Sequence, residues 1–279
     1  MPGRSHRDGW ANGRKNIELA EKAGMIRQST IMCYEAIEFE PTPPAAVLQF
    51  DLIRQNLREE GRFATAARGV FGNAQQPIMV LPNLYYFARG SADLSYLDKP
   101  ETEVLSDLAR ELGGDPAVLV PAWSCLKRSL EELPSDLAGR VRSLKLTGRF
   151  ARNIPGGPAR YAEILAAQVE SRRELLEAVA VEPRNAAEAA DSLSKGAAAL
   201  LKWWHVHRYV GPGLPTDPFK WDFIHGSQTG LLKRHAKLCA AFGPGVVTVA
   251  AQQLSERNLL PKDQALQRLA DLTRTKPRS

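Results

Sequence analysis

Apolar side chains change rhythm along this chain. Before about residue 158, stretches that alternate every second position are interspersed with helical ones; beyond it, apolar residues recur at steps of three, four or seven. Near the start, Ile17 to Ala23 reads as a short helix stopped by Gly24. Ser29 to Glu40 alternates Ile31, Cys33, Glu35, Ile37 and Phe39 with polar or smaller residues, which predicts a strand closed by Pro41, Pro43 and Pro44. Ala46 to Glu60 carries Val47, Phe50, Leu52, Ile53 and Leu57 at helical spacing before Gly61. Gln76 to Ala88 reads as a buried β segment interrupted by Pro82, because Ile78, Met79, Val80 and Leu81 are contiguous and Tyr85, Tyr86 and Phe87 extend the apolar run.

Glu103 to Leu112 predicts a helix ended by Gly113 and Gly114, and Asp115 with Pro116 supplies an N-cap and first position for the next, which contains Pro121. Val141 to Phe150 alternates loosely, with Arg142, Lys145 and Arg149 between its apolar residues, as on a half-exposed strand or hairpin. The motif Asn153-Ile-Pro-Gly-Gly-Pro158 then breaks regular structure and marks a lobe boundary. Beyond it, Arg160 to Val181 and Ala186 to Tyr209 each align one apolar face, the second through Ala190, Leu193, Ala197, Leu200, Trp204 and His207, and they predict an antiparallel pair joined at Glu182-Pro183-Arg184. Gly211 to Pro218 holds three prolines and reads as a rigid loop. Leu231 to Phe242, Val246 to Leu260 and a last segment from Pro261 to about Leu272 are further helices.

These elements predict an α+β, predominantly α-helical protein: a flexible basic arm over residues 1–15, a mixed lobe with a few strands over 16–154, and an all-helical lobe over 155–279. A length of 279 residues suits two lobes, since single cores stop growing at about 250–300 residues. No stretch has the roughly 18 uninterrupted apolar residues of a membrane span and no apolar signal opens the chain, so an intracellular, cytoplasmic protein without a membrane partner is expected. Cys33, Cys125 and Cys239 are too far apart for a metal knuckle and odd in number, so reduced, packed thiols are expected. Cys125 has Lys127 and Arg128 nearby, but Leu119, Trp123 and Leu126 around it predict burial.

The charge balance adds a function class. The net charge is +6, and between Gly139 and Arg160 lie Arg140, Arg142, Lys145, Arg149, Arg152 and Arg160 without one acid. Guanidinium groups bond phosphate oxygens in pairs, and glycines let backbone N–H groups approach, so this segment predicts contact with a nucleic-acid backbone. Lys233, Arg234 and Lys237 form a second basic face, opposite a stripe of Leu231, His235, Leu238 and Phe242; the arm and the tail Arg274 to Arg278 add more positive charge. Two segments, Ile17 to Glu35 and Ser106 to Ser129, carry a helix-turn-helix-like pattern. The leading expectation is a non-enzymatic DNA- or RNA-binding protein, a regulator or a subunit of a nucleoprotein assembly, with no cofactor or metal.

Two other classes compete. His205, His207, His225 and His235 crowd one region with Asp217 and Asp222, so a metal-dependent hydrolase or transferase could use His205, His225, Asp217 and Asp222 beside the loop 211–218. On a helix, however, His205 and His207 point about 200° apart, which argues against chelation of one ion. His207 and His235 occupy apolar stripes and predict packed histidines with a hydrogen-bond partner. A helical scaffold for protein partners is the third class. Gly-x-Ser-x-Gly, Gly-x-x-x-x-Gly-Lys and Gly-x-Gly-x-x-Gly are all absent from the sequence, which disfavours the common nucleophile-elbow and nucleotide-binding machines.

Overall fold

The computed structural model describes residues 15, 18–25, 27, 31–33, 37, 48–64, 70–72, 78–127, 133–208, 219 and 228–274. Helix makes up 74% of them, which overturns the expected α+β class with its mixed first lobe. The extended pairing among the described residues is a three-residue match of β1 (Ile31–Cys33) with β2 (Val70–Gly72), parallel, with Ile31 opposite Val70. That is too short to form a layer, and the first half of the chain is built from helices like the second. Arm residues 1–14 and most of the predicted strand over 29–40 lie outside the described residues.

Two predicted strands are corrected. The run Gln76 to Ala88 becomes a turn at 78–80 followed by α2 (Leu81–Ala92), where Pro82 occupies the first turn. A proline there gives up no helical hydrogen bond, because the first N–H groups of a helix have no intrahelical partner. The segment is rich in apolar residues because α2 is buried on several sides, with Leu81 and Tyr85 on one and Tyr86 and Phe87 on others, and its one polar member in this stretch, Asn83, is buried too and accepts from the Gln49 N–H at 2.9 Å. Tyr86 stacks on Phe50 of α1 (Phe50–Ala64) at 4.5 Å and donates to the Leu97 carbonyl at 2.8 Å. Val141 to Phe150 likewise is no hairpin: α5 (Leu137–Arg142) runs into its start, and residues 143–150 are irregular.

Other elements follow their sequence signals. Gly113 adopts φ +65° after α3 (Glu101–Glu111), and the Asp115 carboxylate accepts from the Ala117 N–H at 2.8 Å to cap α4 (Pro116–Ser124). Pro121 is accommodated inside α4, so the predicted helix does begin at Pro116, and it stops at Ser124. On α4, Trp123 Nε1–H donates to the Tyr161 hydroxyl of α6 (Gly157–Ala180) at 2.7 Å, both rings being buried. Helix α7 (Ala186–Arg208) runs back along α6: Gly196 lies beside Ala178 near the turn, while further along Lys202 bonds Glu174 at 2.8 Å and approaches Glu170 at 3.1 Å. This is the predicted antiparallel pair.

Helices α8 (Gln228–Ala240) and α9 (Gly245–Glu256) pack against this pair, and α10 (Lys262–Thr273) packs against α8 and α9. Buried side chains gather in two clusters, one from Ile37 to Val169 together with Trp203, the other from Leu175 to Leu272. Both draw on α6 and on α7. No helix among the described residues is long and apolar enough to cross a membrane.

Candidate functional site

The basic segment is held by apolar anchors spaced along an irregular path. Leu137, Ala138 and Val141 of α5 are buried, as are Leu146, Ala151 and Ile154 beyond it. Between anchors the chain is pinned to the end of α3, where the Gly148 N–H donates to the Leu112 carbonyl at 2.9 Å. The two backbones meet so closely that a Cβ on Gly148 would lie 2.2 Å from the Glu111 oxygen. Gly156, at φ +82°, turns the chain into α6. The cations occupy positions between the anchors: Arg140, Arg142, Lys145, Arg149, Arg152 and Arg160 are all exposed. The loose alternation that suggested a strand is the spacing of these anchors.

The segment is free of acids in sequence but not in space. Arg142 Nε lies 3.1 Å from Glu163 and its Nη2 3.5 Å from Glu170, both on α6. Burial alone would raise the Glu170 carboxyl, but hydrogen bonding and charge from Lys202, joined by Arg142, hold it below the usual carboxylate range. Arg142 is thus compensated. Arg140, Lys145, Arg149 and Arg152 have no ion pair among the described residues. The Arg160 side chain lies over Gly156, whose missing Cβ would fall 2.4 Å from the Arg160 Cδ. On α8, Arg234 and Lys237 are exposed and Lys233 is half-buried, but Arg234 shares a groove with Leu231, His235 and Leu238. Leu238 is 50% exposed, so this stripe is partly open.

Of the alternative catalytic set, His205 is exposed on α7, whereas Asp217, Asp222, His225 and the loop 211–218 lie outside the described residues, as does the side chain of His207. Among the described residues no group of three or more His, Cys, Asp and Glu side chains is arranged to hold a metal ion. Cys125 is buried, and burial pushes its thiol up to about 12, which keeps it protonated and unreactive at neutral pH. The first helix-turn-helix-like segment lies largely outside the described residues; in the second, α4 carries no charged side chain and buries Val118, Leu119, Ala122 and Trp123, so it cannot serve as a recognition helix.

Sequence reasoning missed a polar trio between α7 and α8. His235, buried as expected, has Nε2 2.9 Å from the Ser192 hydroxyl and 3.3 Å from Cys239 Sγ. Burial lowers the imidazole below its ordinary value and raises the Cys239 thiol. His235 and Cys239 are one helical turn apart, a spacing visible in sequence; Ser192 is 43 residues away and no local pattern ties it to them. Cys239 has no exposed surface and Ser192 almost none, so the trio holds two helices together and has no access to a substrate. No protein-family model, curated protein or solved structure matches this chain.

Proposed function

We propose that this protein is a non-enzymatic nucleic-acid-binding protein that contacts phosphates through Arg140, Lys145, Arg149 and Arg152. The observation that carries the reading is the contrast in charge compensation. Several cations on other elements are tied to nearby acids, among them Arg54 to Asp51, Lys99 to Glu103 and Asp107, Arg184 to Glu188, and Lys195 to Asp191. These four are exposed and carry their charge uncompensated by a described acid. Four such cations on one short path favour a polyanion, whose condensed counterions are released on binding.

The test is salt-dependent binding to a duplex DNA, a single-stranded DNA and an RNA oligonucleotide. Affinity should fall with log salt at a slope of about −0.9 per phosphate neutralised on duplex DNA. Replacing all four with alanine should flatten that slope by about three to four phosphate equivalents. Arg142→Ala, which removes a cation already paired with Glu163 and Glu170, should change it by less than one such equivalent. Absence of binding to all three oligonucleotides at low salt, or a slope unchanged in the fourfold variant, would overturn the reading.

A further inference from the structure

Arg89, on α2, is a cation outside the basic segment that is held in an unusual way for this surface. It is exposed, and its guanidinium lies over two aromatic rings, 5.9 Å from the Tyr85 centroid and 5.2 Å from that of Tyr96. Several other surface arginines are oriented by carboxylates, among them Arg110 by Asp107, Arg173 by Glu177 and Arg184 by Glu188. Arg89 has no ion pair and no side-chain hydrogen bond among the described residues. Asp93, one turn further on, accepts instead from the N–H and the hydroxyl of Ser95 at 2.9 and 2.7 Å. Asp107, which accepts from the Tyr96 hydroxyl, is engaged by Lys99 at 2.8 Å and Arg110 at 3.0 Å.

How a guanidinium is held decides what it can still bind. A carboxylate takes up its N–H donors and cancels its charge. Ring faces attract the cation through their quadrupole and supply no counter-charge. Arg89 is therefore fixed in place with its charge intact and its donors left for another anion. Covering the two rings with its aliphatic stem would account for the contact alone, but not for where the contact lies. The Tyr85 ring is 6.4 Å from the ring of Phe150, a half-buried residue of the basic segment that follows Arg149 directly and precedes Arg152. The steps of 5.9 and 6.4 Å leave at most about 12 Å between the Arg89 guanidinium and the Phe150 ring. Phosphates on one strand of duplex DNA recur about every 3.4 Å along the axis, so roughly four nucleotides cover that distance.

We propose that Arg89 is a fifth phosphate contact, so that the nucleic-acid surface continues from the basic segment across the Phe150–Tyr85 contact onto α2. This rests on the reading of Arg140, Lys145, Arg149 and Arg152 as phosphate contacts and extends it to a residue on a different element. One nucleic-acid backbone then bridges α2 and the irregular segment before α6, two parts of the chain that meet only through the fold.

Fluorescence anisotropy with labelled duplex DNA, single-stranded DNA and RNA oligonucleotides over a series of salt concentrations tests this on the full-length protein. Arg89→Gln should weaken binding about threefold to tenfold at low salt and flatten the salt slope by about one phosphate equivalent. Arg89→Lys keeps the charge and should keep the slope. Arg184→Gln removes the same charge from a residue paired with Glu188, beyond the end of α6 remote from the basic segment, and should leave the slope unchanged. All three positions are exposed or conservatively changed, so the circular dichroism spectrum of each variant should match that of the unaltered protein. A slope unchanged in Arg89→Gln, an equal flattening in Arg184→Gln, or a slope lost as fully in Arg89→Lys as in Arg89→Gln would overturn the fifth contact and leave the other four standing. Absence of binding by the unaltered protein would overturn both.

Discussion

Trp123 and Tyr161 show how much one buried polar contact decides. The indole N–H has its bond to the Tyr161 hydroxyl, and both side chains are almost fully removed from water. Tyr161→Phe keeps the ring and strands the N–H, which should cost about 1–3 kcal/mol in urea denaturation, most of it recovered when Trp123→Phe is added. His235 supplies a pH signature. Its imidazole is held below its ordinary value by burial, so between the folded and unfolded values the unfolded chain binds more protons. Stability is complete above the unfolded value of about 6.5 and falls as pH drops through it. The urea midpoint should decrease from pH 7.5 to 5.5, a window above the range where carboxylates titrate, and His235→Gln should flatten that decrease whatever it does to the midpoint itself.

At the scale of elements, glycines in one segment have opposite roles. A Cβ on Gly148 would collide with the Glu111 oxygen and the backbone of Leu112 and Gly113, none of which can rotate away. Gly148→Ala should therefore destabilise by about 1–3 kcal/mol or more. Gly139, inside α5, has nothing within 4 Å of such a Cβ, and Gly139→Ala should stabilise by about 0.5–1 kcal/mol through helix propensity. Thermal or urea unfolding of the pair reads both signs. The same elements show where the sequence was legible. Boundaries written in chemistry came through: Gly113, Asp115 and Pro116 between α3 and α4, Pro261 before α10, and the apolar faces of α6 and α7. The stretch from Ile78 to Phe87 did not, because a helix buried on several sides and a buried strand both give a mostly apolar run without a clear period. The Val141 to Phe150 stretch misled because Val141, Leu144, Leu146 and Phe150, which meet the core at irregular steps, are interleaved with cations as on a half-exposed strand. The exposure of the basic residues was legible; the pairing of Arg142 with Glu163 and Glu170 depends on α5 docking against α6, which no local spacing encodes.

For the whole molecule, the decisive feature is that the two apolar clusters have no separate sets of helices. Helix α6 gives Leu165, Ala166 and Val169 to the first cluster and Leu175 to the second, and α7 gives Trp203 to the first and Leu193 and Leu200 to the second. Unfolding the second cluster would strip partners from helices that the first cluster needs, so the described part of the chain should unfold as one cooperative unit. Aromatic side chains make this measurable: Phe50, Tyr85, Tyr86, Phe87, Tyr96, Trp123, Tyr161 and Trp203 are in the first cluster, while Phe219 is the aromatic residue of the second. The buried aromatic sources of near-ultraviolet dichroism among the described residues thus lie mainly in the first cluster, whereas far-ultraviolet dichroism follows helix in both. Leu175→Ala, at a fully buried site of the second cluster, should remove about 2–5 kcal/mol and shift both transitions to the same lower urea midpoint. A near-ultraviolet midpoint left in place while the helix signal divides into two steps would mean that the clusters unfold independently, with α6 breaking between Val169 and Leu175.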